Sequence, residues 1–186
     1  MKSIKEKQRE WKKNEIINAV IDLCLEKGIV DVSIEEIAKK SGFGNSSIYY
    51  YFKSKEDIIK EILVSGWKKM ISKMKTVNLD YDRPYDSLIE VIKAHLEFTK
   101  ENPKLFKFIS KFTKAVNNKE IRKLIKQENE IYHSLIESCI NKNILKGDLK
   151  FIYNSLAGSV RQIAQNDELT IEEKLNYIIE NLNKFR

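Results

Sequence analysis

The chain has 186 residues, enough for one ordinary domain or for a small head on a larger body, and long enough to bury a core without disulfide staples. Hydrophobic residues make up 42 %, which excludes wholesale disorder, and only two prolines and six glycines interrupt the chain. The formal charge of +7 suits an anionic partner, nucleic acid or a membrane surface, although a solvated Lys-rich face gives the same number.

The opening residues are charged and no apolar stretch follows them, so no signal peptide is expected. No apolar run approaches the roughly 18 residues needed to cross a bilayer, so the expectation is a soluble, cytoplasmic protein with no membrane partner. Cys24 and Cys139 belong to no close pair and read as small core hydrophobes in a reducing compartment.

Helical periodicity runs through the chain and no strand alternation persists. Ile16, Ile17, Val20, Leu23 and Cys24 share one face of a first helix, and Gly28 ends it. Ser33 with Glu36 is a capping box that opens a second helix through Ile37 and Ala38. Gly42 and Gly44 bracket a tight turn, and a third helix of about two turns covers residues 45–52. Ser54 caps a long fourth helix whose apolar face includes Ile58, Ile62, Trp67, Met70 and Met74. Residues 78–84 are polar, end in proline and read as a loop. A fifth helix spans residues 87–100, Asn102 and Pro103 break it, and a short aromatic helix with Phe106 and Phe112 follows. Asn117 and Asn118 start another helix, Gly147 and Asp148 punctuate, and Thr170 with Glu173 caps the last. The expectation is an all-α chain of about nine helices. Residues 1–56 would form a three-helix head, and residues 57–186 a helical body.

Two short helices joined by a Gly-containing turn are a helix-turn-helix signature, and residues 33–52 fit it. Ile48 and Phe52, four apart, must both face the shared core. Asn45, Ser46, Tyr49 and Tyr50 then face outward. These are uncharged donors and acceptors, suited to reading base edges. Between Ile37 and Lys55 the only charges are Lys39, Lys40, Lys53 and Lys55, and such an acid-free span suits a surface that meets phosphates.

At these residues the chain resembles the TetR family of regulators. The match runs through Glu-Glu-Ile-Ala-Lys-Lys-Ser-Gly at 35–42 and Ser-Ile-Tyr-Tyr-Tyr-Phe-Lys-Ser-Lys-Glu at 47–56, within about residues 16–62. The resemblance implies that Ser33 caps its helix and touches phosphate, that Tyr49 and Tyr51 contact backbone or bases, and that Lys55 clamps a phosphate. Asn45, Ser46, Ser47 and Tyr50 fall where the family reads sequence. Many members carry Ser-Lys-Gly-Thr where this chain has Gly44, Asn45, Ser46 and Ser47. Asn pairs bidentately with adenine, so Asn45 is expected to read an A·T pair.

The resemblance further implies an effector pocket and a dimer interface in the body. Trp67, Met70, Met74 and His95 are candidate pocket residues, together with Phe98, Phe112 and Tyr132. An ordinary core would use the same residue types. The penultimate helix carries small residues that let another helix approach, and the last is amphipathic. Leu156, Gly158, Ser159 and Ile163 from the first, with Leu175, Ile178 and Leu182 from the second, are the candidate dimer residues. Packing within the chain is the alternative. No metal or cofactor is expected, since neither His95 nor His133 has carboxylates or thiols at ligand spacing.

The functional expectation is a homodimeric regulator on a palindromic double-stranded operator, a repressor released when a small-molecule effector shifts the fourth helix. An effector-binding or interaction dimer with a degenerate head, and an activator, are the alternatives. No Gly-rich phosphate loop or nucleophile arrangement recommends an enzyme.

Overall fold

The computed structural model describes residues 3–186, in which nine α-helices and two 3-10 turns form the fold. α1 (Ile4–Lys27) opens on a capping box between Ser3 and Glu6 and ends at Gly28, whose positive φ of 94° suits only glycine without strain. It is longer than the apolar stripe from Ile16 to Cys24 implies, because the Ser3 box starts the helix on polar residues. α2 (Ile34–Ser41) has the expected box of Ser33 with Glu36 and closes on Gly42 in the left-handed conformation. α3 (Asn45–Tyr51) is the short third helix. α4 (Lys55–Met74) is capped by the Ser54 side chain.

α5 (Pro84–Glu101) begins at Pro84. That proline was expected to end a loop, but at the first helical position it loses no hydrogen bond and presets φ. α6 (Pro103–Phe112) starts the same way and runs into a 3-10 turn, Thr113–Ala115. α7 (Lys119–Asn141) is capped by Asn118, α8 (Leu149–Ala164) by Asp148, and α9 (Ile171–Leu182) by the box of Thr170 with Glu173. No described helix is long and apolar enough to cross a membrane.

Two hydrophobic cores organise the chain. The head core joins Ile16, Val20 and Cys24 of α1 to Ile37, Ile48, Phe52, Ile58 and Ile62. It also takes Phe108 and Phe112 from α6 and Ile121 from α7. The body core gathers Met70, Met74, Leu88, Phe98, Leu135, Ile152, Leu156 and Ile178, among others. A fully buried side chain of this size contributes about 1.5–3 kcal/mol. Packing is continuous across residue 56: α4 starts in the head core and ends in the body core, and Trp67 and Leu105 pack against both. Burial pushes the thiols of Cys24 and Cys139 up to about 11, consistent with both being inert core residues.

Candidate DNA interface and body cavity

The helix-turn-helix is assembled by apolar contacts from below and caps at its ends. Ile48 is fully buried and Phe52 nearly so, which turns the opposite edge of α3 to solvent. Asn45, Ser46 and Ser47 are exposed on that edge, with Tyr49 56 % and Tyr50 70 % exposed. Tyr51 is half-buried, packs on the head core and meets the Tyr50 ring edge-on at 5.0 Å. It supports the reading edge more than it belongs to it.

The Ser33 hydroxyl accepts the Glu36 N–H at 3.3 Å and turns its own proton to the Glu36 carboxylate at 3.2 Å. Lys27 pairs with that carboxylate and, with the Ser33 N–H, holds it down to about 2. Both roles of the Ser33 hydroxyl are therefore taken by the cap, and a phosphate would have to displace Glu36. Lys55 is half-buried, and its Nζ donates to the Val30 carbonyl at 3.0 Å. That bond fixes the ammonium beside the loop between α1 and α2 and leaves two of its hydrogens for an anion.

The polar start of α1 lies over this surface. The Arg9 guanidinium sits 5.8 Å from the Tyr50 ring centre, and Lys12 sits 6.0 Å from that of Phe43. Trp11, 57 % exposed, meets Phe43 edge-on at 6.1 Å. The sequence reading missed these residues. The spacing of Ser3 and Glu6 could have revealed the longer helix that carries them.

A cavity of about 270 Å³ lies between α4, α5, α6, α7 and α8. Of the expected lining, Trp67, Met70, His95 and Tyr132 face it. Three expectations are corrected. Met74 and Phe98 are buried in the body core, because the α4 and α5 faces that carry them pack on other helices. Phe112 is turned into the head core and stacks edge-on with Phe108 at 5.0 Å.

Of the cavity's polar lining, His95 and Tyr132 were expected, whereas Glu128, Asn129, Tyr153 and Arg161 were not. His95 Nδ1 and the Tyr132 hydroxyl are 3.0 Å apart, and His95 Nε2 has no partner. Desolvation pushes His95 down to about 4, so the ring is neutral. Glu128 is 8 % exposed, and desolvation pushes its carboxyl up to about 7 against the pull of the Tyr153 hydroxyl and Arg161. The Tyr153 hydroxyl lies 3.5 Å from Glu128. With its amide nitrogen turned to the carboxylate, Asn129 donates to Glu128 at 2.8 Å and to the Tyr153 oxygen at 2.5 Å. The signal was present: Glu128 occupies an apolar register of α7, between Leu124 and Tyr132. Among the described residues no cluster of three or more His, Cys, Asp or Glu could hold a metal.

The dimer candidates divide. Leu156, Ile163, Ile178 and Leu182 are buried in the chain's own body core, so for these four candidates the alternative of packing within the chain holds. The amphipathic stripes that carry them are satisfied within the chain. Leu175 is half-buried against that core. Gly158 is exposed with open space where a Cβ would stand, and the Ser159 hydroxyl donates to the Ser155 carbonyl at 2.9 Å. The outer face of α8 and α9 also shows Phe151, 65 % exposed, and Tyr177.

Residues 16–62 match the family described as bacterial regulatory proteins, tetR family. The fatty acid metabolism regulator protein of Bacillus subtilis (strain 168) is 25 % identical over 144 residues, 77 % of this chain and 74 % of that protein. Two solved structures share the fold. The TetR family transcriptional regulator PfmR from Thermus thermophilus superposes with a TM-score of 0.77 at 19 % identity, over 90 % of this chain and 97 % of that one. The transcriptional regulator FadR from Bacillus subtilis, solved in complex with stearoyl-CoA, gives 0.70 at 19 % identity, over 92 % and 98 %. The chain therefore matches the TetR family of bacterial regulatory proteins in its helix-turn-helix, residues 16–62, and shares its whole fold with solved TetR-family regulators.

Proposed function

We propose that the protein is a cytoplasmic, homodimeric transcriptional repressor that binds a palindromic operator and is released by a small molecule in the body cavity. The observation that carries this reading is the outer edge of α3. Asn45, Ser46, Tyr49 and Tyr50 stand exposed and uncharged beside Lys55, on a scaffold held by Ile48 and Phe52. Uncharged donors and acceptors read base edges, while lysines at the flanks meet phosphates. One seven-residue helix spans few base pairs. Two copies about 34 Å apart would read both halves of a palindrome. The exposed α8–α9 face with Gly158, Ser159, Phe151 and Tyr177 supports pairing of two chains there, since Gly158 lets a second helix approach closely.

The release step rests on differential binding. An effector that favours the DNA-incompetent state by about 1.4 kcal/mol lowers operator affinity tenfold. The cavity touches α4 through Trp67 and Met70, and α4 carries Lys55 at its other end. Gel retardation with the DNA upstream of the protein's own gene tests the reading, together with the mass of the free protein in solution. A retarded complex with a dimer's stoichiometry is expected. A monomer that leaves all such DNA unretarded would overturn the proposal.

A further inference from the structure

We infer that the body cavity takes a lipophilic organic monocation, with the Glu128 carboxylate as its counter-charge and the rings of Trp67, Phe106, Tyr132 and Tyr153 as its walls. The inference rests on the reading of this cavity as the effector site. Glu128 lines the cavity in a buried position, and among the described residues no Lys, Arg or His nitrogen lies within ion-pair distance of it. A buried carboxylate without a counter-ion is costly, and a cation brought by a ligand removes that cost. The surrounding rings offer the second attraction. Tyr132 and Tyr153 stand 6.4 Å apart at 50°, and Phe106 meets His95 edge-on at 6.0 Å. Aromatic faces attract a desolvated ammonium through their quadrupole.

Among the described residues that line the cavity, Glu128 is the one buried group that can carry a charge near neutral pH. From α5, His95 is neutral; from α7 itself come Tyr132 and Asn129; from α8 come Tyr153 and Arg161. Lys114 joins from the 3-10 turn after α6, and both Lys114 and Arg161 are exposed at the rim, where water screens them. These rim cations define the rival ligand, an anionic amphiphile with its head outside and Glu128 protonated. The two ligands have opposite pH dependences. A fixed cation binds better as Glu128 ionises, and an anion binds worse. With the carboxyl at about 7, affinity for a cation should fall roughly tenfold from about pH 8 to about pH 6.

The test is calorimetric titration of the full-length protein, without DNA, by three probes of matched length: octyltrimethylammonium, 1-octanol and nonanoate. The ammonium should bind about tenfold or more tighter than the alcohol. That advantage and its pH dependence should vanish in Glu128→Gln, whose fold is checked by circular dichroism. Tighter binding of nonanoate than of the ammonium, an unchanged Glu128→Gln titration, or no binding by any probe would overturn the inference. Gel retardation, run separately, tests the regulator reading. Ammonium binding that leaves an operator complex intact would remove the cavity as the release site while the cation site stands.

Discussion

Glu128→Gln should also change the pH dependence of folding, with no ligand present. Burial raises this carboxyl from 4.5 to about 7, which corresponds to about 3 kcal/mol of preference for the neutral form. A group with a raised value in the folded state binds its proton more tightly there than in the unfolded chain. Its stabilisation is complete below the unfolded value and is lost as pH rises through about 7. Glutamine is the same shape, keeps the hydrogen bonds within reach and never ionises. The wild type and the variant should therefore have similar stability near pH 4, below the unfolded value. By about pH 8.5 the variant should be the more stable by up to about 3 kcal/mol, or several degrees in Tm for a chain of this size. Thermal denaturation across pH measures the difference, at one protein concentration because association would shift Tm. His95 titrates in both proteins and cancels. Parallel curves across the range would show that Glu128 is not desolvated as argued.

In Gly66→Ala the new Cβ would lie 2.6 Å from Ile109 Cδ1 and 3.1 Å from Leu105 Cδ1, in the contact between α4 and α6. Urea denaturation should show a loss of about 1–3 kcal/mol, and no loss would mean that the crossing is loose. Lys55→Ala should weaken binding to every DNA sequence and flatten the plot of log affinity against log salt by about 0.9, so an unchanged slope would remove Lys55 from the phosphate contacts. Arg9→Ala should flatten the same plot by a similar amount, whereas a slope equal to wild type would confine Arg9 to stacking on Tyr50. Asn45→Ala should relax an A·T preference at one position of each half-site by about 1–3 kcal/mol in a binding-site selection, and full retention of the preference would refute that contact.

The head was legible because its determinants are local. The Ser33 box, Gly42 in the left-handed conformation, and Ile48 with Phe52 four residues apart each act within a turn or two of chain. The same holds for the caps at Ser54, Asn118, Asp148 and Thr170. The cavity was only half legible because its lining is set by how helices rotate against one another. Met74 and Phe98 have the residue types of a pocket and the positions of a core. Glu128 has the type of a surface residue and the position of a pocket. Residue type governs the first guess, whereas register against the neighbouring helices governs the outcome. The same logic applies to Leu156 and Ile178. An amphipathic stripe says that something covers it, and here the covering is the chain's own body.

How the cavity could speak to the DNA surface follows from α6. Within ten residues this helix gives Phe106 and Ile109 to the body core and Phe108 and Phe112 to the head core. Ile109 and Ser110 line the cavity, and Ile109 also presses on Gly66 of α4. Lys104 and Lys111 tie the same helix to α1, through Asp22 at 2.7 Å and the Leu25 carbonyl at 3.4 Å. Packed interiors deform in discrete rearrangements more readily than they stretch. A ligand that displaces Ile109 by shifting α6 as a unit would carry Phe108 and Phe112 with it, and with them the seat of α1 and of the helix-turn-helix. The absence of a Cβ at residue 66 lets α4 and α6 lie close enough for that coupling. A methyl group there should weaken the link between cavity and head even where the head still binds DNA.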